Sequence, residues 1–168
     1  SGRVTAIAPG ASTLTARSGG LSATAQVRVI VTDGSGFLRG EVFDDTRGLP
    51  LSAATATVLT GGGVAVVTPA PVPADDRGRF TLSAASGAGL VRVERQGFTA
   101  VDRHADLARG SVLTLLDARL TPLDGRLNVL QSVFGGEARS TDGSVVVSVP
   151  SGSLDVDTSL RVTPISPQ

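Results

Sequence analysis

Ala23-Thr24-Ala25-Gln26-Val27-Arg28-Val29-Ile30-Val31 alternates small or apolar residues with polar ones. A strand turns successive side chains to opposite faces. The pattern therefore predicts a half-buried β-strand, with Ala23, Ala25, Val27, Val29 and Val31 on one face and Thr24, Gln26 and Arg28 on the other. Ile30 interrupts it. The rest of the chain repeats the theme. Its 168 residues include 21 Gly and nine Pro, and these punctuate the sequence roughly every 8–12 residues, the spacing of an all-β sandwich. Runs rich in Val, Thr and Leu lie between them. The fold class implied is all-β, built as tandem small antiparallel β-sandwiches. No convincing amphipathic helix is present; the nearest stretch, residues 101–108, is short and loosely patterned.

Working outward, Val4-Thr5-Ala6-Ile7-Ala8 reads as a short strand and Pro9-Gly10 as a turn. Residues 12–16 read as a second strand and Ser18-Gly19-Gly20 as another turn. Three strands cannot close a sandwich, so the others are expected from elsewhere. Asp33-Gly34-Ser35-Gly36 reads as a linker. Strands are then expected at 38–43, 53–60 and 64–68, the last two split by Gly61-Gly62-Gly63. Pro69-Ala70-Pro71-Val72-Pro73 cannot supply a ladder of donors and reads as an edge or loop. Asp75-Asp76-Arg77-Gly78 is a turn into a strand at 79–83 with Phe80 and Leu82 on one face. Residues 90–94 put Val91 and Val93 inward, Gln96-Gly97 turns, and residues 111–120 read as one long strand ended by Pro122. Beyond it, a hairpin-like pair is expected from 144–149, entered by Asp142-Gly143, and 160–163. This gives three divisions: 1–33, 36–122 and 123–168.

Composition narrows the function. Fifteen basic residues balance fifteen acidic ones, so no field gathers nucleic acid or an anionic membrane. Every basic residue is Arg; with so much Ala, Gly and Val this reads as a GC-rich genome before it reads as anion binding. Cysteine is absent, which removes disulfides and thiolate metal sites. No apolar run approaches the roughly 20 residues of a membrane helix. The chain opens mid-pattern without a signal peptide, as a piece of a larger protein would. The core is expected to be thin, since aromatics are 3%, all Phe.

Chemistry is sparse. The single histidine, His104, lies between Asp102 and Asp106, either of which could make it a base; the plainer reading is an exposed loop His. Zinc would need carboxylates almost alone. Calcium could use Asp44 with Asp45, Asp75 with Asp76, or Asp155 with Asp157, and the first pair is where a site would be sought. The competing reading is turn chemistry, in which Asp bonds its own backbone. Gly61-Gly62-Gly63 lacks the Lys and helix of a phosphate cradle and reads as a hairpin tip. Phe43, Phe80 and Phe98 read as core, Phe37 and Phe134 as packing near joints. No catalytic, cofactor-binding or metal residue is assigned, no cofactor is expected, and the chain does not read as an enzyme.

Three family resemblances lie in series. Val4-Thr5-Ala6-Ile7-Ala8-Pro9-Gly10, Thr13-Leu14-Thr15-Ala16 and Ser22-Ala23-Thr24-Ala25-Gln26-Val27 resemble the end of a bacterial immunoglobulin-like domain of the second group. Gly40-Glu41-Val42-Phe43-Asp44, Leu49-Pro50-Leu51-Ser52-Ala53-Ala54, Asp76-Arg77-Gly78-Arg79-Phe80-Thr81-Leu82 and Gly97-Phe98-Thr99 resemble a carboxypeptidase regulatory-like domain, a transthyretin-type sandwich and usually a non-catalytic accessory module. Gly135-Gly136, Asp142-Gly143-Ser144-Val145, Val149-Pro150-Ser151-Gly152-Ser153-Leu154 and Asp157-Thr158 are similar to the start of a β-rich module of large bacterial surface proteins. The series is also similar to the region that precedes the shell of teneurin-like YD-repeat (Rhs-type) proteins.

These resemblances imply structural spacer modules of a large secreted or surface-exposed bacterial protein, located outside the cell or on its surface. The joints at 33–36 and 121–125 would set the angles between modules. Partners would be other domains of the same polypeptide, or a surface protein or glycan; nucleic acid and membrane insertion are not expected. Two alternatives stand: an adhesin-type binding module using the edge at 64–73, and the plug of a YD-repeat toxin-encapsulating shell.

Overall fold

The computed structural model describes residues 10–29 and 34–165. The chain divides into two compact units, Ser1–Gly34 and Ser35–Gln168.

In the first unit, β1 (Gly10–Ser18) and β2 (Leu21–Val29) form an antiparallel hairpin in continuous register from Gly10 opposite Val29 to Ser18 opposite Leu21. Gly19 and Gly20, both at positive φ, make the two-residue turn that matches the twist of such a ribbon. The alternation of 23–31 thus gives a strand, but not the buried face expected of it. Ala23 and Ala25 are exposed and Val27 and Val29 only half-buried, because among the described residues this ribbon has no second layer to bury them against. Residues 4–8, 30 and 31 lie outside the described residues.

The second unit opens with nine strands: β3 (Ser35–Asp44), β4 (Thr55–Gly61), β5 (Val64–Ala65), β6 (Val72–Pro73), β7 (Arg79–Ala85), β8 (Gly87–Glu94), β9 (Val101–Leu107), β10 (Val112–Thr114) and β11 (Ala118–Leu120). They make two sheets. In one, β3 pairs with antiparallel β7 and with β10 and β11; in the other, β4 is flanked by β8 and by the short β5 and β6, and β9 continues from β8. Their inner faces share a core of Leu38, Val42, Phe80, Leu82, Val91, Val93, Leu107 and Leu120, each no more than 5% exposed. Phe98 packs partly buried against it. Phe80 takes its space from Gly40 on the neighbouring strand: a Cβ on Gly40 would stand 2.5 Å from Phe80 Cζ.

Several expectations change here. Ser35 and Gly36 are not linker but the start of β3, opposite Ala85 and Ala84. Gly36 is buried where a Cβ would meet Ser111 O at 2.8 Å. Residues 111–120 are two strands, not one: the chain breaks at Leu115, which turns inward, and at Leu116, 80% exposed. Both pieces run parallel to β3, a pairing local pattern cannot report. Residues 101–108 hold β9, fixed by its register with β8. Only Val64–Ala65 of 64–68 is strand. Phe43 is half-buried, with the Arg119 guanidinium 5.8 Å from its ring centre, rather than core. Phe134 is 74% exposed and packs into no joint.

The remaining strands are β12 (Asn128–Leu130), β13 (Gly136–Arg139), β14 (Val146–Val149) and β15 (Thr158–Leu160). The expected partnership of 144–149 with 160–163 is replaced. β14 pairs with β13, around the Asp142-Gly143 turn, and β15 pairs with β12. Gly135 permits this crossing. It sits at φ 68°, and a Cβ added there would clash with the backbone of Val149 and Pro150.

Candidate functional site

Each carboxylate weighed as a cation ligand has to be placed by its hydrogen bonds. Asp44, 5% exposed at the end of β3, accepts at Oδ1 from Thr46 N–H (2.9 Å), Thr46 Oγ1 (2.7 Å) and Arg47 N–H (3.1 Å). Burial pushes its pKa up, but the Thr46 hydroxyl, these amides and the Arg47 charge outweigh it and hold the group below its ordinary value. Asp75 accepts from Arg77 N–H (2.9 Å) and Arg79 N–H (2.8 Å), which lower its pKa, Arg79 most. Asp157 Oδ1 receives Ser132 N–H at 2.9 Å. These carboxylates knot turns and tie loops, as Asp does when it bonds nearby backbone. Among the described residues no three His, Asp or Glu side chains gather as cation ligands.

His104 lies on β9, not in a loop, opposite Leu90 and exposed. Asp102, two residues along the same face, is engaged by Arg92 across the sheet through paired bonds of 2.9 Å from Nε and Nη2. Those bonds lower the Asp102 pKa, with a smaller contribution from His104. The structure brings His104 and Asp102 onto one face but gives the carboxylate to Arg92. Gly62 and Gly63, both at positive φ, form the tip between β4 and β5.

Sequence reading passed over three features. Asp124 accepts from Arg126 N–H (2.7 Å), Thr141 N–H (2.8 Å) and Thr141 Oγ1 (2.6 Å); the Asp124-Gly125 pair was the local signal for it. Asn128 is buried and bonds backbone on two strands. An open cavity of about 810 Å³ lies over β3, β7 and β10, lined by Arg39, Glu41, Asp75, Arg79, Thr114 and Asp117 among others. Its charges are already engaged in part. Arg39 Nε donates to Thr114 Oγ1 at 2.8 Å, and Arg79 faces Asp75 at 3.4 Å.

The exit from the sandwich is bonded back to it. Thr121, 7% exposed, donates its N–H to Thr99 Oγ1 at 3.0 Å and accepts Thr99 N–H at its carbonyl at 2.9 Å. Leu123 N–H donates to Gly97 O at 2.8 Å, and Pro122 bridges to Phe98. The Gly97–Thr99 turn thus grips residues 121–123.

No family model matches the chain, and no curated protein matches it. Among solved structures, it is similar to a streptococcal ancillary pilin, at 11% identity over 95% of this chain and 73% of the pilin, with a TM-score of 0.43. It is similar to the Bacillus anthracis TIE protein at 13% identity, over 83% of this chain and 31% of that one, with a TM-score of 0.44. It is also similar to 3-chlorocatechol 1,2-dioxygenase from Rhodococcus opacus, at 11% identity and a TM-score of 0.38, over 53% of this chain. The chain spans 60% of that dioxygenase's length. Likeness at these identities concerns fold and brings no activity with it.

Proposed function

We propose that this chain supplies non-catalytic spacer modules to a larger secreted or surface-exposed bacterial protein. The observation that carries this is the gripped exit: three hydrogen bonds tie residues 121–123 to Gly97 and Thr99. A flexible tether leaves its backbone to water; this connection is fixed by the module it leaves, and the grip holds the next module at a set angle. The division into an immunoglobulin-like end (1–33), a carboxypeptidase regulatory-like sandwich (36–122) and a third β-rich module (123–168) belongs to the same reading. It is supported by the Asp76-to-Leu82 motif, which runs from the Asp75 turn into the core strand β7. Partners are then neighbouring domains of the same polypeptide. The YD-repeat plug is a narrower form of this reading, and Tyr-Asp repeats downstream of residue 168 would support it.

NMR relaxation tests the spacer. The expected result is one rotational correlation time for residues 36–120 and 123–165 in the native chain, separated into two by Leu123→Pro, which deletes the donor to Gly97. Independent tumbling in the native chain would refute the reading. A second reading, an adhesin-type module, is favoured by the exposure of Val64 (69%) and Val67 (97%) beside the β4 edge. Saturable binding on a glycan array, lost in Val67→Asp, would favour it over the spacer.

A further inference from the structure

Three Thr-Pro pairs occur in the chain, and the fold treats them differently. Thr121, before Pro122, is buried and bonded to Thr99. Thr163, before Pro164, is half-buried and accepts Asp124 N–H at its Oγ1. Thr68, before Pro69, is exposed, and its hydroxyl has no hydrogen-bond partner among the described residues.

Thr68 lies on a bow between two anchors on β4. Val66 N–H donates to Leu59 O at 2.8 Å, and β6 pairs with Thr55 and Ala56. Between them, residues 67–71 are exposed and make no backbone hydrogen bond among the described residues. The bow is nonetheless stiff. A residue before proline is driven from the helical region into an extended one, and Thr68, Ala70 and Val72 each precede a proline. The segment therefore presents Thr68 on an extended, pre-ordered backbone that loses little entropy when seated in an enzyme's cleft. The other unengaged hydroxyls outside the strands sit in tight turns. Ser52 is in the turn that Leu51 N–H ties to Val42 O, Ser86 alone joins β7 to β8, and Ser151 and Ser153 flank the turn closed by Ser153 N–H on Pro150 O.

The surface around Thr68 lacks charge. No charged residue occurs from Gly48 through Ala74, and Val64, Val66 and Val67 are 69%, 37% and 97% exposed beside it. Apolar surface at a sheet edge is ordinarily guarded by charge; a bulky, strongly hydrated neutral group guards it as well. Threonine among prolines is the composition on which such groups are carried. We propose that Thr68 is an O-glycosylation site that takes a neutral sugar, an inference that rests on the secreted or surface-exposed reading above. The donor is a sugar activated as its anomeric phosphate ester. Thr68 Oγ1 attacks the anomeric carbon, the Oγ1–carbon bond forms, and the bond from that carbon to the phosphate oxygen breaks. The phosphate leaves with the electron pair, and the hydroxyl proton passes to a base of the transferase.

Mass spectrometry of the full-length protein recovered from its source bacterium tests this, with fragment ions that keep side-chain groups attached. The expected result is a peptide spanning residue 68 that is heavier by one or more neutral sugar residues, with the fragment ions placing them on Thr68. Thr68→Val should abolish the added mass and Thr68→Ser should keep it, since serine retains the hydroxyl. An unmodified peptide would overturn the proposal. So would a phosphate in place of the sugar, or added sugar that persists in Thr68→Val. The spacer reading fails on a different measurement: an unmodified Thr68 in a chain whose residues 36–120 and 123–165 tumble together sinks the glycosylation site alone.

Discussion

Asn128 serves Arg139 as a partner strand would: its Nδ2 donates to Arg139 O at 3.0 Å, and Arg139 N–H donates to its Oδ1 at 3.1 Å. The same Nδ2 reaches Leu160 O at 3.3 Å. One buried carboxamide thus joins the β13–β14 hairpin to the β12–β15 pair, and its orientation is fixed by two acceptors facing its nitrogen and one donor facing its oxygen.

Asn128→Ala should lower stability by about 1–3 kcal/mol, the cost of leaving buried backbone groups unpaired. Asn128→Asp should be worse at neutral pH, since a carboxylate would face two carbonyls. Urea midpoints compare the variants. An Asn128→Ala midpoint equal to the native one would show that water satisfies Arg139 instead.

Gly40 and Phe80 form a second obligate pair. A methyl at Gly40 meets the Phe80 ring at 2.5 Å inside a closed core, so Gly40→Ala should cost about 1–3 kcal/mol by overpacking. Neighbours in contact do not add. Gly40→Ala combined with Phe80→Leu should therefore lose less than the sum of the two single changes in a double-mutant cycle. Additive losses would mean the ring already has room to move.

How much of the fold could be read from the sequence depends on how local each signal is. The Asp75-to-Gly78 turn and β7 could be read because the turn residues and the alternation of Phe80 and Leu82 lie within one short stretch. The same holds for Val91 and Val93 in β8. The parallel pairing of β10 and β11 with β3 could not, since Val112 and Phe37, neighbours in one sheet, lie far apart in the sequence. Alternation at 23–29 specified a strand but not its burial, which depends on a second layer. At the candidate site, Asp44 and Asp75 were visible as carboxylates. Their roles depend on which amides converge on them, and the Asx-turn reading describes those bonds. Asn128 gave no signal, because an isolated Asn becomes structural only once Arg139 and Leu160 arrive.

Gly78 and Gly97 separate two reasons for glycine. Both have positive φ, at 72° and 82°, but a Cβ at Gly78 would lie 2.4 Å from Val42 O while one at Gly97 meets open space. Gly97→Ala should cost only the left-handed backbone penalty, about 1–2 kcal/mol. Gly78→Ala should cost more, because the clash is with backbone and the Val42 N–H to Gly78 O bond (2.8 Å) must move too. Equal losses by thermal denaturation would count against the packed position of this turn.

Asp142 should make its turn acid-sensitive. Its Oδ1 accepts from Ser140 Oγ (2.6 Å), Ser144 N–H (3.0 Å) and Ser144 Oγ (2.8 Å). These bonds, Ser140 first, lower its pKa from 3.8 to about 2. A carboxylate whose folded pKa is depressed stabilises the fold above its unfolded value and loses that contribution as pH falls through the folded one. The window runs from 3.8 down to about 2. Asp44, Asp75, Asp102 and Asp124 also lie below their ordinary values, so the native chain alone cannot isolate one group. The difference between native protein and Asp142→Asn can. It should be constant above the unfolded pKa, shrink across the window and level off below it. Hydrogen exchange at Ser144 and Val145, read at several acid pH values, tracks the turn directly. A difference that does not change with pH would mean Asp142 is not held as a carboxylate by the two serines.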